Sequence, residues 1–480
     1  MTSIKRAVII NALGKYSSVI FQLIFTAILS RILSPSEFGM VAFINVFVAF
    51  FELFADLGIG TAIIQRKDLN KCIYKEIYGF MCLSGLLLSG MFVVLSKVLS
   101  IICGDKTYVY IGILFSISII ITSMNVVPNA LVMKDKLFVQ ASIRTVISCI
   151  ISYSVAIMLA LQGWSVYALV IRYIIMIVFQ WVWNSVIIRL LPTFHNVFSS
   201  IDSIKEYSLF QLGASMLNYI QRNIDNILVK KFFGDAALGY YDKSYTLMRY
   251  PISYLANVIT PVLHPILAEY QEDLKKIYVQ YIKVLKGLSI IGIWIASIFL
   301  SSSKEIILLM YGKQWTDAIE PLRIMSYCVW PQMLTGTVGC IMQSIGNTKT
   351  LFKICATSIG VSLIGIILGI MTGELQGLSY CIVAVYWIHL YIYFRMVMKL
   401  GFKYKFKAMV IEFLPDIISF LLMAVIAKCV ERYILLDGLI CSFITKLFIL
   451  TVVYALLLVS LNKNNPYVVN IRHRLNKMQN

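Results

Sequence analysis

Fourteen stretches of about twenty predominantly apolar residues follow one another along this chain, separated by short polar connections. At about 1.5 Å of rise per residue, a helix of that length crosses the hydrocarbon of a bilayer. The spans are expected near 10–32, 40–63, 77–98, 108–128, 145–161, 166–188, 206–229, 246–270, 286–303, 321–345, 350–371, 376–398, 409–427 and 436–461. Two of them, 206–229 and 246–270, are polar for helices in lipid, and such helices line a cavity or a protein interface. The longest connections, such as Leu190–Glu206 and Glu272–Lys286, leave no room for a soluble catalytic domain. An all-α integral membrane protein is the expected fold class.

Composition agrees. Hydrophobic residues make up 60% of the 480 and charged residues 14%, against about 25% in soluble domains. The formal net charge is +19. With the N-terminus in the cytoplasm, the cytoplasmic segments hold 26 Lys and Arg and the external loops 10. That bias predicts both termini inside and an even number of spans. The basic run Lys399–Lys407 reads as an anchor on the inner leaflet. No basic, non-hydrophobic domain exists to hold a nucleic acid. The ten cysteines form no CxxC pair and mostly fall within apolar runs, so they read as packing residues, without metal or cofactor. The short basic N-terminus leads into a long apolar stretch with no small-residue cleavage site, which predicts a retained first helix.

A faint repeat is present. Leu13-Gly14 precedes a span that ends in Arg31 and reaches Phe38-Gly39. Leu212-Gly213 precedes one that ends in Lys230-Lys231 and reaches Leu238-Gly239. The offset is 199 to 200 residues, or six spans, so both copies start on the same side of the membrane. Parallel repeats of this kind are related by an axis along the membrane normal.

Local motifs carry a family resemblance. Arg31-Ile32-Leu33-Ser34-Pro35-Ser36-Glu37-Phe38-Gly39 resembles the first external loop of Wzx-type polysaccharide flippases. Asp56-Leu57-Gly58-Ile59-Gly60-Thr61-Ala62-Ile63-Ile64-Gln65 resembles the end of their second span. Arg222-Asn223-Ile224-Asp225-Asn226, Leu238-Gly239-Tyr240-Tyr241, Pro265 and Gly346-Asn347-Thr348-Lys349 are similar to features of the second half, and Lys243 departs from the pattern. The resemblance implies the multidrug/oligosaccharidyl-lipid/polysaccharide transporter superfamily. It implies two pseudo-symmetric six-helix lobes, 1–190 and 206–400, followed by helices 13 and 14 at 409–461 and a basic cytoplasmic tail at 462–480. The implied substrate is an undecaprenyl-diphosphate-linked glycan, moved across a bacterial inner membrane for O-antigen, capsule or exopolysaccharide. The implied partners are membrane lipids, a polysaccharide polymerase and a chain-length regulator.

Charges inside the spans nominate a site, because each needs a partner, water or a function. Lys15 and Asp56 lie at similar depth in sequential antiparallel spans. They are either a structural ion pair or a bridge that opens when a diphosphate takes Lys15. Glu52 shares a helix face with Asp56 and has no evident partner in sequence. It is either a cavity-facing polar residue or a proton carrier. Asp225 and Arg249 match in depth and form an expected pair, which leaves Arg222 less compensated. A guanidinium makes bidentate contacts with phosphate oxygens, so Arg222 is the first choice for the diphosphate unless it simply pairs with Asp225. Substrate binding is thus assigned to Arg222, Lys15 and Arg249, and coupling or gating to Asp56, Glu52 and Asp225. Arg172 and Arg323 read as snorkelling residues, and His264 and His389 as packing residues. Lys446 is a minor candidate, and the tyrosines at 240, 241, 245, 250 and 254 read as an interfacial belt. No Walker A, HExxH or GxSxG sequence is present. The rival readings are a cation-coupled multidrug exporter, a membrane glycan polymerase or ligase, and a structural membrane protein.

Overall fold

Ser34 shows how this chain starts a helix. Its backbone N–H donates to Glu37 Oε2 at 2.6 Å, and the Glu37 N–H donates to Ser34 Oγ at 3.4 Å. With Pro35 in the first turn, this capping box satisfies amides that a helix start leaves open. Asn70 and Asn347 cap two later helices in the same way, accepting from Ile73 N at 3.0 Å and Thr350 N at 3.1 Å.

The computed structural model describes residues 2–65, 70–195, 205–256, 273–434, 436–461 and 465. Side chains are described for all of these except 2–16, 65, 205–215, 217–218, 220–222, 256 and 348–349. Among the described residues the protein is all helix, with no strand. The order is α1 (Thr2–Ile32), α2 (Pro35–Asp56), α3 (Ile59–Gln65), α4 (Lys71–Cys103), α5 (Thr107–Lys134), α6 (Phe138–Leu161) and α7 (Val166–Ile188). After these come α8 (Lys205–Pro251, broken at Gly234), α9 (Leu274–Met310), α10 (Ile319–Met325), α11 (Val329–Thr335) and α12 (Val338–Ser344). The chain closes with α13 (Thr348–Met371), α14 (Leu375–Met396), α15 (Phe406–Tyr433) and α16 (Leu439–Leu461).

Among the described residues, ten helical stretches are long and apolar enough to cross a membrane: Pro35–Ile64, Lys71–Cys103, Thr107–Lys134, Phe138–Leu161, Val166–Ile188, Leu274–Met310, Thr350–Met371, Leu375–Phe402, Phe406–Tyr433 and Leu439–Leu461. They coincide with expected spans 2–6, 9 and 11–14. The described apolar part of the first span is Ser17–Ile32. Most of the eighth, 246–270, lies outside the described residues. The tenth, expected as one helix over 321–345, is built instead from α10, a tight turn at Ser326–Cys328, α11 and α12. Pro331 in the first turn of α11 has no N–H to continue the preceding ladder, and Gly336-Thr337 separates α11 from α12.

The chain divides into two compact units, 1–239 and 240–480. In the first, α4 packs on α5, α5 and α6 pack on α7, and α1 packs on α6. Small residues bring α4 and α5 close, and a Cβ on Gly112 would lie 2.1 Å from that of Ser96. In the second, α13 pairs with α14, and α9 carries both α15 and α16.

Two buried ion pairs fasten those last helices. Lys286 on α9 meets Asp416 on α15 at 2.6 Å, and both side chains are almost fully buried. Ser289 Oγ donates to Asp416 Oδ1 at 2.7 Å, and Trp330 Nε1 donates to Ser289 Oγ at 2.8 Å. Lys446 on α16 meets Glu305 on α9 at 2.5 Å, and Ser442 Oγ donates to the same carboxylate oxygen at 2.6 Å. Lys446 is therefore a structural cation. Arg323 does not snorkel alone but bridges Glu320 and Glu431. Tyr241 is fully buried and stacks on Tyr245 at 5.5 Å, so it departs from the expected interfacial belt.

Candidate functional site

Four helices of the first unit turn polar side chains toward one another, although each runs through apolar sequence. Glu52 on α2 accepts from the Tyr173 hydroxyl on α7 at 2.9 and 3.0 Å, through its two oxygens. It also accepts from Thr122 Oγ1 on α5 at 3.2 Å. Farther along, Asn184 Nδ2 on α7 donates to Asn125 Oδ1 on α5 at 2.8 Å. Arg144 on α6 donates through one nitrogen to Asn184 Oδ1 at 2.5 Å and Asn129 Oδ1 at 3.0 Å. Gln180 Nε2 donates to Ser148 Oγ at 3.5 Å.

Helix periodicity aligns these groups. Thr122, Asn125 and Asn129 follow i, i+3, i+7 on α5, and Tyr173, Gln180 and Asn184 follow i, i+7, i+11 on α7. Tyr173 and Asn184 are about 16 Å apart along the axis. The result is a polar column with a carboxyl group at one end and a guanidinium at the other. Arg144 is 6% exposed and, among the described residues, bonds only neutral amide oxygens. A cation in that position needs such oxygens because hydrocarbon offers none.

Arg144, Tyr173, Thr122 and Asn184 were not singled out in sequence. Arg144 falls where the pattern suggested a loop before the fifth span, and the others are neutral. Only their helical spacing could have signalled a shared face.

The expected site residues fall in several places. Glu52 has the partners just described. Asp56 shapes the turn between α2 and α3: its Oδ2 accepts from Gly58 N at 3.2 Å, where Leu57 and Gly58 take positive φ of 50° and 70°. At the other end of α3, Lys134 Nζ donates to Ile63 O at 2.9 Å and Tyr74 Oη at 2.7 Å. The side chains of Lys15 and Arg222 lie outside the described residues, and with them the Lys15–Asp56 pair. Asp225, in the first unit, is buried and accepts from Asn226 N at 2.9 Å. Arg249, in the second, sits 5.6 Å over the Tyr245 ring, and Tyr245 and Tyr386 share a hydroxyl hydrogen bond of 2.8 Å. Lys243, the departure from the family pattern, is buried 5.7 Å from the Tyr311 ring and 6.0 Å from that of Trp315. His389 is a packing residue, with Nε2 3.1 Å from Ser358 O, and His264 lies outside the described residues. Arg172 rests 4.6 Å over the Tyr153 ring. Among the described residues no cluster of His, Cys, Asp and Glu could hold a metal ion.

A family model described as "Polysaccharide biosynthesis protein" matches residues 28–320, more than half of the chain. The chain belongs to this polysaccharide biosynthesis protein family. It is 24% identical over 339 residues to an "uncharacterized membrane protein in cps region" of Klebsiella pneumoniae, covering 70% of each chain. It is 20% identical over 341 residues to the lipopolysaccharide biosynthesis protein WzxC of Escherichia coli, covering 69% of this chain and 68% of that one. Among solved structures, the lipid II flippase MurJ in an inward closed conformation matches with a TM-score of 0.73 and 16% identity, over 94% of this chain and 98% of that one. This family member therefore shares the all-helical fold of that structure.

Proposed function

We propose that this protein is a flippase that moves undecaprenyl-diphosphate-linked oligosaccharide units across a bacterial inner membrane for surface polysaccharide synthesis. The observation that carries the reading is the likeness to a lipid II flippase over nearly the whole chain, in a chain whose family is polysaccharide biosynthesis. A lipid-linked glycan presents three chemistries at once: an isoprenoid tail, an anionic diphosphate and a hydrophilic glycan. The tail stays in the bilayer, while cations and polar groups between two rocking lobes hold the head. No catalytic role is assigned to any residue. Both termini face the cytoplasm in this reading. The polymerase and the chain-length regulator receive the product on the other side.

Arg222, Lys15 and Arg249 are the proposed diphosphate contacts, the last released from an Asp225–Arg249 pair. Asp56 serves gating through the turn it shapes, and Glu52 serves coupling through its hydrogen-bonded column. Arg222→Ala is expected to lower surface polysaccharide at least tenfold in cells that depend on this protein, with normal amounts of protein in the membrane. Arg222→Lys is expected to keep most of the output, because the charge remains while the bidentate fork is lost. Full output from Arg222→Ala would remove Arg222 from the site.

A further inference from the structure

The two copies of the faint repeat meet in the structure at equivalent positions. One helix begins at Pro35 after the extended Ser34, and the broken helix α8 resumes at Asp235 after Gly234, whose φ is 86° and ψ is −178°. These starts are 200 residues apart, as are Gly39 and Gly239. A Cβ on Gly39 would lie 1.8 Å from the carbonyl oxygen of Asp235. A Cβ on Gly239 would lie 2.1 Å from the carbonyl oxygen of Pro35. Residue i of one copy thus touches residue i−4 of the other, and the reverse, which is the signature of a local two-fold axis. The contact is backbone against backbone, at a distance that only glycine allows.

A polar latch sits beside this crossing. The Tyr108 hydroxyl on α5 donates to Asp235 Oδ1 at 2.7 Å, and Lys230 Nζ pairs with Asp235 Oδ2. The same ammonium lies 5.2 Å from the Tyr108 ring and 5.9 Å from the Phe43 ring, and Phe43 is one turn along α2 from Gly39. Between α2 and the part of α8 that precedes the break at Gly234, Val46, Phe47, Phe50, Tyr219, Asn223 and Ile227 border a cavity of about 290 Å³.

We infer that the Gly39–Gly239 crossing of α2 and α8 is a clasp that stays shut on the external side until substrate leaves, with Tyr108, Lys230 and Asp235 as its latch. The inference rests on the alternating-access flippase reading, since the clasp must part for substrate to leave outward. The assignment to the external side follows from the distribution of Lys and Arg. Unlike the two dry ion pairs on α9, the latch is partly exposed, with Lys230 13% and Asp235 17% accessible. Water can therefore take over its hydrogen bonds when it opens.

The test uses Leu238→Cys, a fully buried position in the clasp, as reporter. A membrane-impermeant maleimide is applied to intact cells, and the label is read against the native chain, whose exposed cysteines are Cys72, Cys429 and Cys441. Little label is expected on the reporter alone. Adding Gly39→Ala or Gly239→Ala is expected to raise it about fivefold or more. Each alanine alone is expected to cut polysaccharide output at least tenfold, with similar effects from the two. Gly90→Ala, where a Cβ meets nothing within 4 Å, is expected to change neither. Unchanged label in either alanine variant, or near-native output from either, would overturn the clasp. If the alanine chains fail to reach the membrane, Tyr108→Phe and Asp235→Asn carry the test, because they keep shape and remove the latch. Raised label supports the clasp, and unchanged label overturns it. Raised label in a protein that moves no lipid-linked glycan would keep the clasp and remove the flippase reading.

Discussion

Asp416→Leu is expected to destabilise the protein by about 3–5 kcal/mol, because it strands the Lys286 ammonium in a dry interior. Lys286 is buried, pairs with Asp416 at 2.6 Å and also donates to Glu412 O at 2.5 Å. Leucine removes the countercharge and leaves one backbone acceptor. It also takes the acceptor from Ser289, and through Ser289 disturbs Trp330. The expected result is a lower unfolding temperature in detergent and less full-length protein in the membrane. The double variant Lys286→Met/Asp416→Leu is expected to recover most of the loss, since it removes both charges and keeps apolar volume. A single variant as stable as the native chain, or a double variant no better than the single, would show that the pair does not fasten α15 to α9.

Glu52→Gln is expected to separate activity from stability. The amide oxygen still accepts from Tyr173 and Thr122, so the column keeps its hydrogen bonds and the unfolding temperature moves little. The side chain can no longer take up or release a proton. If Glu52 couples transport to proton movement, polysaccharide output falls at least tenfold at native protein levels. Tyr173→Phe is expected to be milder, since it removes one hydroxyl donor shared between the two carboxylate oxygens, at about 1 kcal/mol, while leaving the carboxyl group titratable. Native output from Glu52→Gln, over a range of external pH, would remove proton coupling at this residue.

Much of the fold was legible because hydrocarbon imposes length and apolarity on a spanning helix. Spans such as 166–188 and 350–371 recur in the structure at nearly the expected residues. The tenth span hid its interruptions, because Ser326, Pro331 and Gly336 are too few to lower the hydropathy of their window. Partnerships were harder to read. Lys286 looked like a residue at the edge of a loop, and its partner is 130 positions away. Glu52 has no partner legible in sequence, because Tyr173 and Thr122 carry no charge and sit in ordinary apolar runs. Tyr241 sat in a cluster typical of interfaces, yet packing between helices buried it. Depth in a span can be counted along the sequence, but the azimuth around a bundle depends on neighbours that one sequence does not reveal. The repeat was the exception. Phe38-Gly39 and Leu238-Gly239 marked positions that come together through their backbones, where side-chain identity has little influence.

The central claim is translocation, and the leaflet that holds the lipid-linked glycan tests it most directly. Intact cells or oriented vesicles, with and without this protein, are exposed to an impermeant lectin or glycosidase. Without the protein, lipid-linked glycan is expected to build up protected on the inner leaflet, and restoring the protein is expected to expose it. Glycan that reaches the outer leaflet unpolymerised without the protein would contradict the account and favour a role after translocation.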